Sequence, residues 1–103
     1  MSNEEDRGTD ILLDEDNKVK EPSRFKVILH NDDYTTMEFV VKVLQLVFSK
    51  TAEEASEITL QVHKEGVGVC GVYCYEIAET KAKKVEKMAT DEGHPLKISV
   101  END

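Results

Sequence analysis

Phe25-Lys26-Val27-Ile28-Leu29-His30-Asn31-Asp32-Asp33-Tyr34-Thr35-Thr36-Met37-Glu38 decides the fold, because its character changes twice along its length. Phe25, Val27 and Leu29 alternate on one face of a run rich in β-branched residues, the period of a strand. Thr35-Thr36-Met37-Glu38 then matches a capping box, in which a Thr hydroxyl and a Glu three residues later satisfy orphan backbone N–H groups, so a helix is expected to start there. Between the two lies Asn31-Asp32-Asp33, a concentrated set of oxygen acceptors.

Downstream, apolar residues at Met37, Phe39, Val40, Val41, Val43, Leu44, Leu46, Val47 and Phe48 fill more than one stripe of a helix reaching about Lys50, which makes it the central, most buried helix. Thr51-Ala52-Glu53-Glu54 repeats the capping box and opens a second helix over about Ala52 to Lys64, stopped by Gly66. Val67 to Cys74 is short, β-branched and glycine-rich and reads as a second strand approached closely by a neighbour. A third helix is expected from about Tyr75 to Thr90, with Ala78, Ala82, Val85 and Ala89 on its buried stripe, ended by Asp91-Glu92-Gly93-His94-Pro95. Leu96-Lys97-Ile98-Ser99-Val100 alternates with period two, as a last strand covered on one face does. The order βααβαβ implies an α+β fold, a three-stranded, largely antiparallel sheet packed against three helices.

Upstream, residues 1–24 carry eight acids and few sizeable apolar side chains. Such a segment cannot offset its own ordering entropy and reads as a flexible acidic extension, leaving residues 25–103 as one domain.

With 22 Asp and Glu against 13 Lys and Arg and a pI near 4.8, the chain would repel phosphate backbones, so nucleic acid is an unfavoured partner. No apolar run approaches the roughly 20 residues of a membrane span, and the amino terminus lacks the pattern of a signal peptide, so a cytoplasmic protein is expected. Cys70 and Cys74 on one extended strand would lie about 13 Å apart, beyond disulfide reach, and read as reduced, buried core residues. A zinc site from Cys70, Cys74, His63 and His94 fits by residue type but not by spacing, so neither metal nor cofactor is expected. Hydrolysis by Asp32 or Asp33 with His63 would need a nucleophile and oxyanion donors that the sequence does not supply.

Asn and Asp often occupy turns simply because their side chains bond nearby backbone N–H groups. If the second helix ends beside this loop, however, the Asn31 amide oxygen, the Asp33 carboxylate and a neutral His63 nitrogen offer three acceptors, the number that the three donors of an ammonium group require.

The run Lys26-Val27-Ile28-Leu29-His30-Asn31-Asp32-Asp33-Tyr34-Thr35-Thr36-Met37-Glu38-Phe39-Val40 resembles the signature of the ClpS family, adaptors of the bacterial Clp protease. Val62-His63, Cys70-Gly71-Val72 and Ala78-Glu79-Thr80-Lys81 resemble its later blocks in the same order. The resemblance implies a monomeric, non-catalytic adaptor. Such an adaptor binds proteins beginning with Leu, Phe, Tyr or Trp and hands them to the N-terminal domain of a ClpA-type unfoldase feeding the ClpP peptidase. It further implies that Asn31, Asp33 and His63 hold the α-amino group and that Thr35, Met37, Val40, Val62 and Leu96 line the side-chain pocket, with Leu29 close by. Met37 would gate against β-branched first residues, and Glu76 and Lys81 would dock the unfoldase. The chain departs from the family pattern at Thr59, where a pocket-lining methionine is usual, and at Thr36, where proline is common; Thr59 would leave a smaller, more polar wall. The competing expectation is a protein-interaction scaffold without such a pocket, since the fold is also similar to the carboxyl-terminal domain of the ribosomal stalk protein.

Overall fold

A computed structural model describes residues 23–103. The acidic extension expected over residues 1–24 therefore lies, up to residue 22, outside the described residues. The elements are β1 (Phe25–His30), α1 (Met37–Phe48), α2 (Ala52–Glu65), β2 (Val67–Tyr73), α3 (Tyr75–Glu92) and β3 (Lys97–Asn102), in the expected βααβαβ order. The sheet runs β2-β1-β3, and β1 pairs antiparallel with both neighbours.

Because β1 is central, its alternating residues form the floor of the core, with Val27 and Leu29 fully buried. The helices meet that floor with Val43, Leu44, Ala55, Ala78 and Val85, none of which is exposed. Each large aliphatic side chain removed from water in this way stabilises the fold by about 1.5–3 kcal/mol. In α1 a broad face (Phe39, Val40, Val43, Leu44, Val47, Phe48) is buried while Leu46 is 67% exposed. The excess of apolar residues thus widens the buried face without enclosing the helix.

Pairing slips between Val27 and Ile28, where Val27 faces Gly71 and Ile28 faces Val69, so Cys70 is the extra residue of a β-bulge. Past the bulge the alternation is reset. Tyr73 comes opposite Phe25 and packs against the core, its ring 6.4 Å from that of Phe48. Gly68 lies under α2, and a Cβ there would sit 2.6 Å from a methyl of Val62.

The helix ends follow the sequence with one shift. Thr51 and Glu54 form both bonds of the expected capping box, at 2.9 and 3.1 Å. At α1 the cap is Thr36, whose hydroxyl accepts from the Phe39 N–H at 3.1 Å. Thr35, expected as the cap, instead turns its hydroxyl to Asp32. Gly66 ends α2 at φ 88° and Gly93 ends α3 at φ 77°, left-handed values that glycine adopts without penalty. α1 has no basic residue in its own last turn; Lys81 of α3 fills that role, donating to the Val47 carbonyl at 2.8 Å and lying over the Phe48 and Tyr73 rings.

The cysteines separate. Cys70 is buried, and burial pushes its thiol pKa up to about 12, so it carries no thiolate at neutral pH. Cys74, expected in the core, is exposed because the chain has already left the sheet and Cys74 is the N-cap of α3.

The packing of β2 against α2 generates a test. Gly68→Ala places a methyl group against the stiff, β-branched Val62 and is expected to cost about 1–3 kcal/mol as overpacking. Thermal unfolding followed by circular dichroism would show a drop of about 4–8 °C per kcal/mol for a domain of this size. An unchanged midpoint would mean that α2 yields freely.

Candidate functional site

The loop leaving β1 is set by a bond between the end of that strand and the end of α2. The Asn31 N–H donates to the Gly66 carbonyl at 2.8 Å, continuing the β1–β2 pairing one step past His30 and Val67. The last turn of α2, with Val62 and His63, is thereby brought beside the Asn31-Asp32-Asp33 loop. The sequence can signal this approach only indirectly, through the short connection at Gly66.

The three loop residues do different work. Asp32 accepts from the Tyr34 N–H at 2.7 Å, the Thr35 N–H at 2.6 Å and the Thr35 hydroxyl at 2.7 Å. Partial burial raises its pKa, but the Thr35 and Tyr34 hydrogen bonds, together with nearby His94, outweigh that effect and hold the carboxyl below the ordinary Asp value. Asp32 is thus the local turn-former that its residue type suggests. Asn31, Asp33 and His63 are exposed, in contrast to the loop-bound Asp32.

These groups share a cavity of about 260 Å³ with an apolar wall. Asn31, Asp33 and His63 supply polar lining, and Met37 and Val40 from α1 with Thr59 and Val62 from α2 supply the rest. Thr35 also lines it. A cavity lined by both hydrogen-bond acceptors and methyl and thioether groups suits a ligand that is cationic at one point and apolar beside it. Thr59 is buried, and its hydroxyl donates to the Ala55 carbonyl at 2.7 Å. The wall is therefore wider than a longer side chain would leave it, but its hydroxyl is spent inside the helix, contrary to the expectation of a more polar surface.

Two expected pocket residues stand elsewhere. Leu29 is fully buried in the core and Leu96 is 8% exposed; neither lines this cavity. On α3, Glu76 is exposed, whereas Lys81 is half-buried and tied to Val47. A structural role for Lys81 is thus already evident within the chain. Among the described residues no group of three or more His, Cys, Asp or Glu side chains is placed to hold a metal ion, and no helix is long and apolar enough to cross a membrane.

Known proteins resemble this chain in sequence and in fold. Residues 20–99 match the family described as ATP-dependent Clp protease adaptor protein ClpS. The ATP-dependent Clp protease adapter protein ClpS of Desulfatibacillum aliphaticivorans is 58% identical over 97 residues, covering 94% of this chain and 92% of that one. Its counterpart in Nitratidesulfovibrio vulgaris (strain DP4) is 57% identical over 93 residues, covering 90% and 88%. Among solved structures, that of Agrobacterium tumefaciens ClpS2 bound to L-phenylalaninamide superposes with a TM-score of 0.78 at 37% identity, covering 81% of this chain and all of that one. A match of this extent, at this identity and with the same fold, shows that the chain belongs to the ClpS family of adaptor proteins of the ATP-dependent Clp protease.

Proposed function

We propose that this protein binds the amino-terminal residue of other proteins when that residue is Leu, Phe, Tyr or Trp, and delivers them to a ClpA-type unfoldase. The observation that carries the reading is a single cavity lined both by Asn31, Asp33 and His63 and by Met37, Val40, Thr59 and Val62. A protonated α-amino group has three N–H donors for those three acceptors, and the adjoining apolar space receives the first side chain. The phenylalaninamide held by the structural neighbour has the same make-up: a free amine, a benzyl side chain and an amide where a second residue would follow. A scaffold without a pocket has no use for such a convergence.

In this reading the protein performs no chemistry, acts as a cytoplasmic monomer and uses Glu76 and Lys81 on α3 to meet the N-terminal domain of the unfoldase. Met37, half-exposed and part of the cavity lining, would crowd a branch at the Cβ of the first residue. Leu29 and Leu96 support the pocket from the core behind it.

Fluorescence anisotropy with peptides beginning in Leu, Phe, Tyr, Trp, Ile, Val or Ala tests the amine-binding model. Acetylating the amine of the Phe peptide removes its charge and two donors, and is expected to weaken binding by at least about a hundredfold, since hydrogen bonds to charged groups contribute about 1.5–3 kcal/mol each. Equal affinity of free and acetylated Phe peptides would sink the proposal. Asp33→Ala and His63→Ala should each lower affinity by about tenfold or more.

Asp32 gives a pH-dependent counterpart. Because its folded pKa lies below the ordinary value, its contribution is complete above the unfolded pKa of about 3.9 and is lost as pH falls through the folded one. Asp32→Ala should strip hydrogen-exchange protection from the Tyr34 and Thr35 amides already at neutral pH, while the unaltered protein keeps it until below about pH 4. Protection that survives the substitution would show that the loop holds its shape without Asp32.

The docking helix can be probed by separating surface from stability. Glu76→Ala should weaken unfoldase binding with little change in thermal midpoint. Lys81→Ala should also destabilise the fold by about 1–2 kcal/mol, from its loss over two rings and at the Val47 carbonyl. A normal melting temperature for Lys81→Ala would remove the structural role.

A further inference from the structure

We infer that Thr59 makes the first-residue pocket extendable, so that this protein favours tryptophan as a first residue by an amount that Thr59 itself sets. The inference rests on the proposed function and adds an ordering among its ligands. Beyond the inner cavity of about 260 Å³ lies a second hollow of about 280 Å³ in the groove between α1 and α2, lined by Met37, Val41, Ser56, Thr59 and Leu60. Met37 and Thr59 line both hollows, so these two side chains are the partition between them.

The partition is thin on both sides. Thr59 is short, and its hydroxyl is turned back to the Ala55 carbonyl, which leaves its methyl group as the surface it can offer a ligand. Met37 is 47% exposed and carries an unbranched, polarizable thioether that re-packs readily around different shapes. Leu and Phe side chains are short enough to end within the inner cavity. An indole is longer and carries the largest apolar surface of the candidate side chains. It can pass Thr59 and displace the Met37 thioether toward the outer hollow, where Val41 and Leu60 provide apolar contact. Burial of the second ring then adds to affinity where a closed wall would repel it.

The full chain can be titrated by fluorescence anisotropy with peptides identical except for a first residue of Trp, Phe or Leu, against Thr59→Met and Thr59→Val. Filling the partition with Thr59→Met is expected to weaken Trp relative to Leu by about tenfold. Thr59→Val keeps the shape and replaces the hydroxyl with a methyl group, so it is expected to leave that ratio within threefold. A Trp-to-Leu ratio that Thr59→Met moves by less than threefold, or that Thr59→Val moves by more, overturns the inference. The Met37 methyl resonance gives a readout independent of any variant: it should shift differently on binding Trp and Leu peptides, and identical bound shifts overturn the inference as well. If Leu and Phe peptides do bind, those failures concern Thr59 alone. If no free-amine peptide binds the unaltered protein, the proposed function fails with it.

Discussion

The hydrogen bond from the Asn31 N–H to the Gly66 carbonyl is the constraint on which the rest of the site depends. It fastens the exit of a central strand to the left-handed end of a helix, two points far apart in the chain. Without it the acceptors of the loop and the imidazole of His63 belong to separate surface elements. With it they face one cavity, and the antiparallel pairing of β1 with β2 makes the joint part of the sheet. Gly66 suits this place because its backbone lies in a region that other residues reach only with strain.

Around that joint, neighbouring residues of similar chemistry have opposite roles. Asp32 spends its carboxylate on the loop, so the entropy of ordering the turn is met during folding and not during binding. Asp33, one residue later, stays exposed at the cavity rim. The same contrast appears between Thr35, bound to Asp32, and Thr36, which caps α1. In both pairs the inner member builds the loop, and the outer member is left for a ligand or a helix end.

Local chemistry explains how much could be read in advance. The alternation of Phe25, Val27 and Leu29, the capping box at Thr51 and the stop at Gly66 each depend on residues within a few positions, and all appear in the structure. The three acceptors of Asn31, Asp33 and His63 could be counted without coordinates, but their approach depends on the Asn31–Gly66 bond, which joins residues far apart in the chain. The α1 cap was displaced by one residue because two adjacent threonines qualify, and the choice between them is made by Asp32 through space. Cys74 surfaced because the strand ends at Tyr73 and Cys74 is the N-cap of α3, and because the bulge at Cys70 shifts the alternation beforehand, a change of register that period-two reading does not carry. That Leu29 and Leu96 do not line the cavity, and that Thr59 turns its hydroxyl inward, depends on side-chain direction, which spacing leaves open.

The contact of Lys81 with the Val47 carbonyl bears on how the molecule comes apart. A helix that takes its terminal cation from another helix cannot keep a complete end once that neighbour detaches. Loosening α3 would strip the last turn of α1 of its cation and uncover the Phe48 and Tyr73 rings beneath Lys81. The two helices therefore form one cooperative unit of opening. The segment proposed to meet the unfoldase and the helix that frames the pocket mouth thus share a single threshold of local stability, and a pull strong enough to free one would release the other.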